Sequence, residues 1–448
     1  MKIIIVGAGE IGRHMALSLS NDSHSICVIE ADEQIATELD RRLDARVLNG
    51  DGSSVNTLLD AGAPECDLFF ALTSDNNINL VSSSIAKSLG AGQSICRAHP
   101  GLQREDFLFD FRSHFQIDYL FSSERLASVE LAKFVRNPDA PLVEEIARGY
   151  IELQQIEIPE DCKMAGKPLS ELAFPPRVRI GAIIRDGESW IPSATDELKG
   201  GDRITLFGEP SRLHEMAVQL TNDGKGQEAN VVIFGGGEYG FSLAQNLESW
   251  NCRIRIFESD AERCAELTDS LTKATVLNAD ATSLSELKEE RVGDADFFIA
   301  TSTVDEDNVM TCLQAHSLGT KHCLTLIHRA DYADALMDFS DDIGIRAAVS
   351  PRDATRRDLM RFITSDRWHL LQKLDVGELI EASVDVGSPA AGAHVKEIEW
   401  PPDCILVALL HGIRAMVPSA DDKIVAGDHL YAVVSPKAKK SFLKLVSA

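Results

Sequence analysis

Two glycine-rich stretches hold the residues best suited to chemistry. Gly7-Ala8-Gly9-Glu10-Ile11-Gly12 follows an apolar run and opens a segment of helical periodicity, and Gly235-Gly236-Gly237-Glu238-Tyr239-Gly240 does the same far down the chain. The spacing is G-x-G-x-x-G. The first glycine permits the tight turn, the second lets backbone approach a pyrophosphate, and the third lets helix and strand pack closely. A phosphate would then meet unsatisfied N–H groups at the positive end of a helix dipole. A carboxylate follows about twenty residues on, Glu30 after Cys27-Val28-Ile29 and Glu258 after Arg255-Ile256-Phe257. Such an acid accepts hydrogen bonds from both ribose hydroxyls and repels a 2′-phosphate. The pattern points to NAD(H) or another adenine nucleotide rather than NADP. The alternative is a tight strand–helix turn with no ligand, and Gly236 and Tyr239 make the second copy the more open to it.

Glu10 and Glu238 each follow the second glycine, where a phosphate would lie, so each side chain either turns away or meets a cation. Further candidates lie at the carboxyl ends of strands, where ligands of open α/β sheets bind. Asp51 and Asp280 follow the third strand of each copy, and Leu72-Thr73 and Thr301-Ser302 follow the fourth. Arg97 and Arg329 end the fifth, where a guanidinium can hold phosphate through two parallel hydrogen bonds. A cap or a surface ion pair is the plainer role for each.

These residues are placed by elements that occur twice. IIIVGAGEIGRHMALSL (Ile3–Leu19) recurs as VVIFGGGEYGFSLAQNL (Val231–Leu247), and DLFFALTSDNNIN (Asp67–Asn79) as DFFIATSTVDEDN (Asp296–Asn308). The offset is steady, so half the chain is a duplicate of the other. Continuous apolar strands such as Ile3–Val6 predict parallel strands covered by helices on both faces. Past Asn137–Pro141, a proline-marked linker, come short strands with turn signals: Ile151–Ile158, Arg179–Gly187 and Asp202–Gly208. They recur at Leu379–Val386, Ile405–Gly412 and Asp428–Val434. Each lobe ends in a short helix (Ser211–Leu220, Pro436–Val446), and Thr221–Glu228 links the halves. The reading is four domains, 1–140, 141–225, 229–365 and 366–448, an α/β unit and a small α+β lobe, twice.

The chain has 448 residues with a net charge of −26, which opposes binding to nucleic acid or to anionic lipid. No run approaches the roughly 18 apolar residues of a membrane span. The N-terminus enters a strand directly, without the pattern of a signal peptide. Nine cysteines without CxxC pairs fit a reducing cytoplasm. Cys312, His316, His322 and Cys323 have zinc-like types, but Ser83 and Lys87 stand at the positions of the first two in the other copy, which favours packing or surface roles. The basic helix Arg352–Arg361 reads as a solvated face pairing with Asp353 and Asp358, or as a partner contact.

The GAGEIG run, Glu30, Asn49-Gly50-Asp51, the Thr73…Asp75…Asn79 stretch, the Arg185–Gly187 turn and the Gly-Asp steps at 201–202 and 427–428 together resemble TrkA-type regulators of potassium conductance. The resemblance covers essentially the whole chain. It implies an α/β fold with two Rossmann-like doubly wound parallel-sheet domains, each followed by a small α+β RCK C-terminal lobe. It implies a cytoplasmic protein held at the inner face of the plasma membrane by an integral potassium transporter subunit of TrkH/TrkG type, with no insertion into lipid. It also implies pairing through crossing helices, for which Ala127–Phe134 and Arg356–Phe362 are the candidates, and a homotetrameric ring of eight nucleotide-binding domains. Packing of those helices within one chain stays open. NAD(H) would bind, with ATP and ADP as competing effectors, and no catalysis is expected. The rivals are an NAD-dependent oxidoreductase, disfavoured because neither small lobe repeats a His, Lys or Tyr in a strand-end loop, and a scaffold with vestigial sites.

Overall fold

The computed structural model describes all residues except 21–23, 105–107, 137–141, 148–149, 222–227, 338–342, 361, 364–367 and 412–413. The linker Asn137–Pro141, most of Thr221–Glu228, Arg361 and Gly412 lie outside the described residues. The chain divides into two compact units, and each unites like with like: Met1–Val135 with Glu228–Ile363, and Arg136–Gln227 with Thr364–Ala448.

The first unit contains two six-stranded sheets, each with its strands in the spatial order third, second, first, fourth, fifth, sixth. All pairings are parallel. This is the doubly wound Rossmann order, whose crevice opens where the order reverses, between the first and fourth strands. Strand Lys2–Val6 is buried from Ile3 onward because helices cover both its faces. Helix Glu10–Ser20 follows it, then strand Ser25–Glu30 and helix Glu33–Asp40. The carboxylate of Asp32 caps that helix by accepting from Gln34 N and Ile35 N, and Asp75 caps helix Asn76–Leu89 in the same way. Each cap contributes about 1 kcal/mol.

The last helix of each α/β half crosses to the other. Ala127, Leu131, Ala132 and Val135 of helix Ser123–Arg136 pack into a core with Val231, Ile233, Phe241 and Leu247 of the second half. Leu359 of helix Pro351–Met360, with Ile363 just beyond, packs among Ile3, Ile5, Met15 and Leu19 of the first. The first helix therefore runs past both ends expected for it, the second starts before Arg356 and ends at Met360 short of Phe362, and their exchange takes place within one chain. The basic face of the second is not simply solvated. Arg356 pairs with Asp353 at 3.7 Å, Arg357 with Glu130 at 3.7 Å, and Asp358 accepts from the Tyr119 hydroxyl at 2.8 Å.

The second unit holds two five-stranded antiparallel sheets of identical order. Beyond the expected strands, each has two more: Leu142–Ile146 and Glu188–Trp190 in one, Trp368–Leu374 and Arg414–Met416 in the other. The sheets share a core of Ile151, Leu153 and Phe207 with Leu379, Val407, Tyr431 and Val433. The repeated Gly-Asp step places a buried carboxylate in each lobe. Asp202 accepts from Arg185 Nε at 2.6 Å and from Lys199 N at 2.7 Å. Asp428 accepts from Val425 N at 2.8 Å and meets His411 Nδ1 at 2.6 Å. All nine cysteines are unpaired. Cys312 is fully buried, its thiol 3.2 Å from the Leu324 carbonyl oxygen, while His316 is exposed, so the two do not converge as ligands.

Candidate functional site

A cleft of about 450 Å³ opens at the carboxyl ends of the first sheet. Gly7, Gly9, Glu10, Ile11, Glu30, Ile35, Asp51, Leu72, Thr73 and Arg97 line it. So do Tyr239, His328, Pro351 and Arg352, all from the second half. A wider hollow of about 650 Å³ runs along helix Glu33–Asp40, but its walls are six polar side chains of one helix surface, with no convergent group.

The first fingerprint divides into residues that face the cleft and residues that shape it. Gly7 has φ +93°, which a side chain disfavours, and a Cβ there would press on Thr73. A Cβ on Gly12 would overlap the Gly7 carbonyl oxygen, so this glycine sets the distance between strand and helix. A Cβ on Gly9 would meet nothing within 4 Å, which leaves the surface above it to a ligand. Ala8 is buried and does not line the cleft; its N–H donates to Glu30 Oε2 at 2.6 Å. Asp32 N donates to the other oxygen, Glu30 Oε1, at 2.9 Å. The acid thus pins the loop, with lone pairs left on both oxygens for ribose hydroxyls. Glu10 lies exposed in the first turn of its helix, on the cleft wall.

Asp51 accepts from Ser53 N and Oγ at 2.8 and 2.7 Å, and these bonds, the hydroxyl's first, hold its carboxyl below the usual range. Thr73 is held by Asn79, a buried residue on the following helix. Asn79 Oδ1 accepts from Thr73 N at 2.9 Å and from its hydroxyl at 2.7 Å, while its amide donates to the carbonyls of Thr73 and Arg97 at 3.0 Å. One amide therefore fixes the ends of two strands at the cleft. Arg97 lies 3.6 Å from the Glu124 carboxylate.

The contributions from the second half were not foreseen. Tyr239 belongs to the second fingerprint, yet its side chain lines the first cleft; its carbonyl accepts from Ser128 of the crossing helix at 2.9 Å. Burial pushes its hydroxyl upward, so it stays protonated and can donate. His328 contacts the Tyr239 ring edge-on at 5.6 Å. His328 Nδ1 lies 2.9 Å from Asp305 Oδ1, and the Asp305 carboxylate also accepts from the backbone N–H groups of His328 and Arg329. Burial pushes the Asp305 carboxyl up; the hydrogen bonds outweigh it and hold it below its ordinary value. Arg352 brings a guanidinium whose Nε is buried without a hydrogen-bond partner. Spacing marked Tyr239 as part of the second fingerprint, not of this cleft, and carried no signal for His328 and Arg352, because their place in the cleft depends on how the two halves meet.

The second fingerprint keeps the local geometry. Gly235 has φ +95°, Gly240 lies against the Gly235 carbonyl, and Glu258 accepts from Gly236 N and Asp260 N, both at 2.9 Å. A Cβ on Gly237, the counterpart of Gly9, would again meet nothing. Asp280 accepts from Thr282 as Asp51 does from Ser53. The remaining candidates part company. Glu238 meets a cation, Arg263, at 3.2 Å. Thr301 is buried, its hydroxyl donating to the Phe234 and Gly235 carbonyls at 2.9 and 3.1 Å, and Ser302 takes the position of Thr73. Arg329 is not the counterpart of Arg97. Strand register aligns Ala71↔Cys96 with Ala300↔Thr325, so Leu326 stands at the Arg97 position. Arg329 lies three residues on, exposed, with its guanidinium 3.7 Å from the centre of the Tyr332 ring.

Comparison with known proteins gives the same architecture. The TrkA-N domain family model matches residues 3–103 and 231–351, and the TrkA-C domain model matches 153–220 and 379–447. Trk system potassium uptake protein TrkA homolog 2 of Methanosarcina mazei is 28% identical over 460 residues, covering 99% of this chain and 100% of that protein. Trk system potassium uptake protein TrkA of Haemophilus influenzae is 29% identical over 451 residues, covering 98% and 96%. Among solved structures, the GsuK channel bound to NAD superposes with a TM-score of 0.59 at 16% identity, covering 99% of this chain and 78% of that one. GsuK bound to ADP superposes with a TM-score of 0.51 at 12% identity, covering 81% and 69%. With TrkA-N and TrkA-C domains matched alternately, twice each, along most of its length, the chain belongs to the TrkA family of Trk potassium uptake proteins.

Proposed function

We propose that the chain is a nucleotide-responsive regulatory subunit of a potassium uptake system. An adenine nucleotide occupies the first cleft, with NAD(H) and ATP or ADP competing for the shared ADP moiety. The observation that carries this reading is that one cleft is lined by residues of both α/β halves. A ligand there touches Gly9 and Glu30 on one side and Tyr239, His328 and Arg352 on the other. It biases their arrangement by as much as its affinity differs between arrangements. The residues suit such a ligand: a helix N-terminus and two guanidiniums for phosphate, a pinned carboxylate for ribose, and the apolar side chains Ile11, Ile35 and Ile78 for a base. The names of the relatives support a potassium uptake role, and the nucleotide-bound GsuK channels support the choice of ligand.

The working assembly is a homotetramer docked on an integral membrane potassium transporter subunit, at the inner face of the membrane. No helix among the described residues is long and apolar enough to cross a membrane. The test is to purify the chain with its transporter, reconstitute both, and measure potassium flux with ATP, ADP, NAD and NADH. At least one nucleotide is expected to change the flux, and Gly9→Asp to abolish that change. Flux indifferent to all four would overturn the proposal. His328 oriented by Asp305 is the arrangement an oxidoreductase would use, so NADH absorbance is followed with candidate carbonyl substrates; no turnover is expected.

A further inference from the structure

We propose that only one nucleotide binds per chain, in the first cleft, and that Arg263 closes the second from within. This rests on the nucleotide reading above. Ile35 and Arg263 are counterparts: each backbone N–H donates to the capping aspartate three residues before it, Ile35 to Asp32 at 3.0 Å and Arg263 to Asp260 at 3.0 Å. Ile35 is an apolar wall of the first cleft. Arg263 instead reaches across the second fingerprint. Its Nε donates to the Gly236 carbonyl at 2.8 Å, one terminal nitrogen to Glu238 Oε1 at 3.2 Å, and the other to Glu266 Oε2 at 2.8 Å, with the guanidinium 5.7 Å from the centre of the Phe241 ring. It thereby fills the wall where the first cleft offers an apolar side chain to a base, and ties that wall to the backbone and the Glu238 carboxylate of the fingerprint. A nucleotide entering there must break the charge-assisted bonds to both glutamates.

The second half also lacks the counterpart of one cation that the first cleft would use. Leu326 stands where Arg97 does. The loop near Gly236 sits so close to the next helix that a Cβ would overlap Leu267, whereas the first half accommodates Ala8. Tyr239, within the second fingerprint, serves the first cleft instead.

The test is calorimetric titration of the full chain with NADH, ADP and ATP, using wild type, Arg263→Ile, Gly9→Asp and the double variant. Isoleucine is the residue of the first copy, so the change restores a side chain this fold already holds. Wild type is expected to bind one equivalent, Arg263→Ile two, Gly9→Asp none, and the double variant one. Photolabelling with 8-azido-ATP followed by peptide mapping gives an independent readout, with label in the first half only for wild type and in both halves for Arg263→Ile. Two equivalents in wild type, or one in an Arg263→Ile protein that melts normally and labels only in the first half, overturns the inference while leaving the nucleotide reading intact. No binding by any form overturns both.

Discussion

Glycines of one fingerprint do different work. Gly12 lies against the Gly7 carbonyl oxygen, and Gly9 borders open space. Gly12→Ala therefore acts on the fold. Its methyl group forces strand Lys2–Val6 and helix Glu10–Ser20 apart, and the expected loss is about 3 kcal/mol, the range of overpacking in a close-packed core, seen as a fall in Tm. Gly9→Asp acts on the ligand. The side chain has room, so Tm is expected to stay within a few degrees, while a carboxylate beside the phosphate site lowers nucleotide affinity by about a hundredfold or more, measured by calorimetry. Arg352 belongs with Gly9 in this respect. Its Nε has no hydrogen-bond partner, so Arg352→Gln leaves stability nearly unchanged and weakens ADP binding by about tenfold, roughly 1.4 kcal/mol, with a shallower salt dependence. The fingerprint, Glu30, Asp51, Thr73 and Arg97 were legible as sequence because strand ends and loop spacing are local. Arg352 and His328 were not, since their place in the cleft depends on how the two halves meet. Arg329 was misplaced by counting from a strand end, where register puts Leu326 opposite Arg97.

The element that decides the first unit is the crossing helix. Leu131 is fully buried in the core of the second half and Leu359 in that of the first. Leu131→Ala is expected to cost about 2–4 kcal/mol and to do so at a distance in sequence. Amide exchange should quicken in strand Ala229–Phe234, and for Leu359→Ala in strand Lys2–Val6. Packing confined to each helix's own half would give the reverse. The apolar periodicity of these helices was readable, but amphipathicity names no partner. The same contact carries a pH dependence. His14 on helix Glu10–Ser20 faces Asp353 at 3.5 Å, with Arg352 and Arg356 close by. Burial first, and Arg352 next, hold its pKa below the ordinary 6.5, against the pull of Asp353. The unfolded chain therefore binds the proton more readily. Stability from this site is complete above about pH 6.5 and declines as pH falls below it towards the folded pKa. His14→Gln should flatten that decline in a series of melts between pH 7.5 and 5.5.

At the scale of the whole chain, duplication and exchange together make the halves interdependent. Each half carries a helix whose apolar face belongs to the other's core, so a half expressed alone must leave that face uncovered or find a second copy of itself. The small lobes bind the halves again, through the shared core around Phe207 and Tyr431. Two chains, 1–227 and 228–448, divided in the segment between the last helix of the first small lobe and strand Ala229–Phe234, are expected to assemble into a one-to-one complex when co-expressed. That complex should bind nucleotide with near wild-type affinity, because every residue of the first cleft is present. The first half alone, even where it self-associates, lacks Tyr239, His328 and Arg352 and should bind at least tenfold more weakly. Sedimentation and calorimetry on the two preparations separate the outcomes. Equal affinity in the isolated first half would mean that the second contributes nothing to the ligand. The cleft would then have no means of translating occupancy into a rearrangement of the two halves.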